Sequence, residues 1–104
     1  MRTYEQALED TLQAIERHVE ALDADIDQDA GDGILTLILP DRSRIILNRQ
    51  APLKELWLAA RSGGYHLSWQ DNRWWCVKTK EGLMTLMGRV LAEQGVPGWS
   101  VSDE

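Results

Sequence analysis

Ten carboxylates, from Glu5 to Asp32, fall within the first 33 residues against only two basic side chains, Arg2 and Arg17. That stretch carries a net charge of −8, the other 71 residues sum to +2, and the 104-residue chain to −6. Concentrated like charge costs stability through self-repulsion, so its retention points to a use. Two chemistries want such a cluster. A hard cation takes oxygen ligands, and a basic protein surface takes complementary charge.

The elements that must position these acids follow from the apolar pattern. Leu8, Leu12, Ile15, Val19 and Leu22 recur at the 4-3-4-3 spacing of one buried stripe, which predicts a helix from residue 4 to about 22. At roughly 100° per residue from Leu8, Glu5, Glu9, Glu16, Glu20 and Asp23 fall between roughly 60° and 120°, a ridge flanking the buried face. Asp10 and Arg17 lie near the solvent pole, and His18 on the opposite flank. From Ala24 to Ala30 the pattern alternates, with Asp25, Asp27 and Asp29 on one side and Ile26 on the other, which predicts an edge strand that extends the ridge. A plain solvated face with a charged, aggregation-blocking edge is the competing reading. Solvated faces ordinarily mix signs, whereas Glu5/Glu9 and Glu16/Glu20 are like pairs at i,i+4.

Asp25-x-Asp27-x-Asp29 resembles the start of a calcium loop but fails in detail. Position 6 would be Ala30 where Gly is required, and position 12 Thr36 where a bidentate Glu is required. Starting at Asp23 gives Gln28 and Ile34 instead. Surface carboxylates outside a cage of oxygens bind hard cations weakly and with little selectivity. No Cys/His spacing suits structural zinc, and there is no phosphate-binding Gly loop or nucleophile elbow. Cys76 has no basic neighbour in sequence to make it a thiolate; alternating with Trp74 on a strand, it reads as core. His66 reads as structural. The chain is therefore not expected to be an enzyme.

Beyond the first helix, Gly31-Asp32-Gly33 is a turn signal, and strands are expected at Ile34–Leu39, Arg44–Gln50, Lys54–Ala60, Tyr65–Trp69 and Arg73–Val77. Gly63-Gly64 and Gln70-Asp71-Asn72 read as turns. Thr79 is placed to cap a second helix from about Lys80 to Gln94, with the stripe Leu83, Leu86, Met87, Val90 and Leu91 and with Gly88 toward solvent. The expected fold is α+β: a two-layer sandwich of two helices on one face of a roughly six-stranded antiparallel sheet, in the order α-β-β-β-β-β-β-α. Residues 1–104 read as one domain, with a short irregular tail after about residue 95.

Net acidity argues against nucleic acid and membrane partners, which need basic patches. The N-terminus lacks the apolar stretch of a signal peptide, no run approaches a membrane span, and one cysteine cannot form an internal disulfide. These features fit a reducing cytoplasm.

Residues 48–66 add a second signal. Asn48-Arg49-Gln50-x-Pro52-Leu53, then Leu56-Trp57-Leu58-Ala59, then Gly63-Gly64-Tyr65-His66, together with Gly33-Ile34-Leu35-Thr36 and Trp74-x-Cys76, strongly resemble the bacterial (CyaY-type) frataxin family. The resemblance runs from the first helix to about Gln94. It implies a cytoplasmic protein that binds iron, Fe2+ or Fe3+, weakly and reversibly through an acidic ridge, other divalent cations being acceptable there too. It also implies docking on the cysteine desulfurase of iron–sulfur cluster assembly, with the cluster scaffold protein as a further partner. Carried over by position, the metal-binding ridge is Glu16, Glu20, Asp23, Asp25, Asp27 and Asp29, with Glu5 and Glu9 as weaker extensions from the wheel alone. The partner-binding set is Glu16, Glu20 and Asp23 with Asn48, Gln50 and Trp57 on the sheet. Strand parity puts Trp57 opposite Leu56 and Leu58, hence outward. Arg17 and Ala21 stand where family members often carry acids, and the connection from Leu22 to Asp25 is short, which implies fewer irons than in relatives.

The leading expectation is thus an iron-responsive regulator of, or iron donor to, cluster assembly. The alternative is a metal-independent acidic module that modulates the desulfurase, with incidental cation binding. Oxidation of ferrous iron ranks last, since no buried two-metal carboxylate–histidine constellation is present in the sequence pattern. A monomer is the default, and cations bridging clustered carboxylates offer a route to oligomers.

Overall fold

A computed structural model describes residues 2–103. The first helix, α1 (Tyr4–Ala21), begins with a capping box: the Gln6 amide N–H donates to Thr3 Oγ1 and the Thr3 N–H donates to Gln6 Oε1, both at 3.1 Å. Two otherwise orphaned donors are thereby satisfied, worth about 1 kcal/mol. Seven strands follow: β1 (Asp27–Gly31), β2 (Ile34–Ile38), β3 (Arg44–Gln50), β4 (Glu55–Ala60), β5 (Gly63–Gln70), β6 (Arg73–Cys76) and β7 (Glu81–Gly82). Helix α2 (Leu83–Glu93) closes the regular structure. The strands pair in chain order, each antiparallel to the next, as their short connections demand.

Both helices bury their stripes against one sheet face. Leu8, Leu12, Ile15 and Val19 from α1, and Leu83, Leu86, Met87, Val90 and Leu91 from α2, meet Leu35, Leu37, Ile45, Leu47, Leu56, Leu58 and Leu67 from the strands. Trp74 and Cys76 are buried in this core as the sequence pattern indicated, with Trp74 Nε1 donating to Thr11 Oγ1 at 2.9 Å. Tyr4 anchors the start of α1 to the sheet through a 2.6 Å hydrogen bond from its hydroxyl to the Glu55 carbonyl.

The boundaries depart from the sequence reading in several places. The first strand begins at Asp27 rather than Ala24, because residues 23–26 are used to turn the chain out of α1. Asp23 is left-handed (φ 53°), and the Ile26 N–H donates to the Ala24 carbonyl at 2.8 Å. Gly63 and Gly64 pair with Ala60 and Ala59 inside β5, so the turn falls on Arg61-Ser62 instead. Thr79 does not cap α2. The chain makes a turn at residues 77–80, forms the short β7 opposite Trp75 and Cys76, and enters α2 at Leu83 with Gly82 as N-cap.

The orphan donors of α2 are met from a distance. Asp103 accepts from the Met84 N–H (2.6 Å), the Thr85 N–H (3.2 Å) and the Thr85 hydroxyl (2.6 Å). The tail after Gly95 is irregular, as expected, yet it packs. Val96 is buried, and Trp99 donates to the Met84 carbonyl at 3.0 Å. Gly88 therefore does not face open solvent: a Cβ there would lie 3.1 Å from Trp99 Cδ1.

Two polar ties complete the frame. Arg89 forks onto Glu81 (2.8 and 3.0 Å), joining α2 to β7, and that hydrogen bond holds the Glu81 carboxyl below its usual range. Gln94, the buried polar residue at the end of α2, accepts from the Arg61 N–H and donates to Ser43 Oγ, so one side chain secures two sheet turns.

Candidate functional site

The acidic ridge is built on α1 and the open edge of the sheet. Glu5, Glu9 and Glu20 are exposed and Glu16 half-buried on the helix; Asp23 and Asp25 are exposed in the connection; Asp27 and Asp29 are exposed on β1. Asp23 lies beyond the helical residues, so the wheel that placed it on the ridge does not apply to it. Asp25 lies before the strand, and its sidedness is set by the turn rather than by alternation.

Register adds a distinction that the linear sequence conceals. Asp27 pairs with Ile38 and Asp29 with Thr36, and these partners alternate with buried Leu35 and Leu37. The two β1 carboxylates therefore project toward the helix-free side of the sheet, away from the α1 acids. Gln28 points the other way, and its side-chain amide donates to the Glu16 carbonyl at 3.2 Å. The ridge thus wraps the sheet edge, with Gln28 stitching its two halves together.

Among the described residues, charge compensation is confined to the ends of this cluster. Asp10 pairs with Arg2 at 2.9 Å, while Arg49 reaches from β3 to Glu5 (3.5 Å) and Asp32 (3.6 Å). Glu9, Glu16, Glu20, Asp23, Asp25, Asp27 and Asp29 take part in no ion pair among the described residues. Nor do any three His, Cys, Asp or Glu residues among the described ones stand close enough together to cage a metal ion. The arrangement offers a strong, diffuse negative field with scattered oxygen ligands. A shallow cavity of about 160 Å³ between α1 and the β1–β2 hairpin has Glu5, Glu9, Glu16 and Arg49 at its wall.

The second set lies on the helix-free sheet face. Asn48 pairs with Ile34 on one side and Trp57 on the other, and Trp57 pairs with His66, so Ile34, Asn48, Trp57 and His66 form one row across four strands. Trp57 is half-buried, outward of Leu56 and Leu58, as parity predicts. Gln50, two residues along on the same face, pairs with Glu55. Trp57 is held twice. Its Nε1 donates to Glu55 Oε1 at 2.8 Å, and its ring stacks on the His66 imidazole with centroids 4.2 Å apart and planes 8° from parallel. Sequence reasoning read His66 as structural and Ile34 only as the start of a strand, and Ile34 is 43% exposed. Only the pairing register, a tertiary fact, puts both beside the predicted residues.

No helix among the described residues is long and apolar enough to cross a membrane.

Comparison with known proteins agrees with this architecture. Residues 1–96 match the family model of the frataxin-like domain. The chain is 42% identical over 84 residues to the iron-sulfur cluster assembly protein CyaY of Vibrio cholerae, covering 81% of each. It is 41% identical over 86 residues to the protein of the same name from Pseudomonas fluorescens, covering 81% of this chain and 78% of that one. Among solved structures, the frataxin of Psychromonas ingrahamii superposes with a TM-score of 0.85 at 26% identity, over 94% of this chain and 95% of that one. Trimeric yeast frataxin complexed with ferrous ion shares the fold, with a TM-score of 0.70 at 23% identity over 92% and 87% of the two chains.

Proposed function

The chain belongs to the frataxin-like family, and on that premise we propose that it serves iron–sulfur cluster assembly by holding iron, reversibly, on the α1–β1 ridge. The same ridge docks on the cysteine desulfurase, with Asn48, Gln50 and Trp57 supplying a second contact to the assembly machinery, the cluster scaffold protein included.

One observation carries this reading: Glu16, Glu20, Asp23, Asp25, Asp27 and Asp29 line α1 and one sheet edge, and among the described residues no cationic side chain pairs with any of them. Uncompensated carboxylates at the surface are ligands for a hard cation and a docking face for a basic partner. Iron is cargo here rather than a resident cofactor, and exposed oxygen sites without a cage suit an ion that must leave again. The residues hold and release; no covalent step is asked of them. The setting that goes with this role is the cytoplasm, with residues 1–104 as one domain, a monomer by default, and oligomers where cations bridge ridges.

The test is an anaerobic ferrous titration followed by backbone NMR. Paramagnetic broadening should begin at residues 16–29 and spread last to β5 and β6, the strands across the sheet from β1. Signals at 16–29 that persist at equimolar iron would remove the iron-carrying role. A metal-independent docking module is the second reading, favoured by the absence of a three-carboxylate cluster among the described residues. It predicts desulfurase binding that falls with ionic strength yet ignores iron.

A further inference from the structure

The Trp57–His66 stack carries a role that the carried-over residue set leaves out. His66 is exposed, so its ring is not placed by core packing. It nevertheless lies 4.2 Å from the Trp57 ring at an 8° interplanar angle, while Glu55 accepts a hydrogen bond from the indole N–H. An isolated tryptophan on an open sheet has two rotatable side-chain torsions and several available rotamers. This one is fixed by a face contact and an edge contact at once. Around it the sheet is low: Ala59 and Gly64 leave a notch of about 160 Å³ bounded by Ile46, Asn48, Trp57 and His66. Among the described residues, nothing lies within 4 Å of where a Gly64 Cβ would be. The indole therefore borders an open notch beside Ala59 and Gly64.

We propose that His66 is a positioning residue for docking: by stacking on Trp57 it pre-orients the indole that the partner meets. This rests on the docking role of Trp57 given above. Binding hot spots are rigid aromatic anchors whose ordering cost has been met before the encounter, and immobilising one side chain is worth about 0.5–1.5 kcal/mol. The flat face, rather than the charge, of the imidazole does the positioning. The charged groups near His66 are Glu55 from β4 and Lys78 from the turn after β6, which border it along with Ser68 and Val77. They are of opposite sign, so the local field on the imidazole is mixed.

The experiment compares three variants, His66→Ala, His66→Phe and Trp57→Ala, in desulfurase binding by calorimetry, with the Trp57 indole N–H signal as a structural readout. His66→Ala should weaken binding about 2- to 10-fold, shift the Trp57 indole resonance, and leave the melting temperature and the ferrous titration as in the parent. His66→Phe, which keeps an aromatic face without a titratable group, should restore the parent affinity and resonance. Parent affinity in His66→Ala, or an affinity in His66→Phe as weak as in His66→Ala, overturns the positioning role. If Trp57→Ala itself binds like the parent, the docking role of the sheet face falls, and the positioning role falls with it. If only the His66 variants are silent, the docking role stands alone.

Discussion

In the proposed function, the ridge and the helix-free sheet face would solve recognition in opposite ways. On the ridge, six acids from Glu16 to Asp29 stand with no ion pair among the described residues, spread over a helix, a turn and an edge strand. On the sheet, Trp57 is clamped by Glu55 and His66 in a row that register fixes to Asn48 and Ile34. A diffuse field acts as a sum, tolerates the loss of any one member and fades with salt. A clamped aromatic acts as one contact, is lost in a single substitution and is nearly indifferent to salt. The difference teaches where sensitivity should lie: in numbers of charges on one side of the molecule and in single residues on the other.

The largest effect should come from Trp57→Ala. We expect desulfurase affinity to fall about 30-fold, the ~2 kcal/mol of a hot-spot residue. The fall should be the same at about 0.1 M and about 1 M salt, over which the screening length shrinks from ~10 Å to ~3 Å. A strongly salt-dependent loss would mean that the two regions are not separable.

Glu20→Lys with Asp23→Lys should come next, with affinity falling about tenfold at low salt and the deficit shrinking as salt rises. Thermal melting should be unchanged or slightly higher, because repulsion within the ridge is relieved. A marked drop in melting temperature would show these acids to be structural.

The smallest effect lies in the frame that joins the two regions. Asp41, in the β2–β3 turn, accepts from the Ser43 hydroxyl (2.5 Å) and N–H (2.9 Å) and from Arg61 (2.6 Å). The hydrogen bonds from Ser43, ahead of that from Arg61, lower its pKa from 3.8 to about 2. A carboxyl depressed in the folded state stabilises above its unfolded pKa, and that contribution is lost as pH falls through the folded value. Asp41→Asn should therefore flatten the acid limb of the stability curve between about pH 4 and pH 2. Docking and iron titration at neutral pH should stay as in the parent. An acid limb of parent steepness would assign the sensitivity elsewhere.

The sequence revealed the two regions unequally. The α1 stripe was legible because one periodic face must be buried, and the acids flanking it followed from the same wheel. Outward Trp57 was legible from the family resemblance, with strand parity in support. What escaped was whatever depends on contacts far apart in the chain. Asp103 caps α2 across 18 residues or more, which left Thr79 looking like the cap. Trp99 covers Gly88, which had seemed bound for solvent. Gly63-Gly64 carries a turn signature but is held in β5 by pairing to Ala59 and Ala60. Asp23 lost its helical position to the left-handed turn that frees the chain for β1. The opposite projection of Asp27 and Asp29 needed the β1–β2 register.

The claim that one ridge serves both cargo and partner meets its most direct test in competition. Desulfurase affinity should be measured anaerobically at fixed ionic strength while free ferrous iron is raised. If the carboxylates that hold iron also meet the partner, the apparent Kd should climb in proportion to iron once the ridge begins to fill, and Glu20→Lys with Asp23→Lys should blunt that climb. An affinity constant across the whole iron series, in a chain whose ridge signals have broadened, would contradict the account.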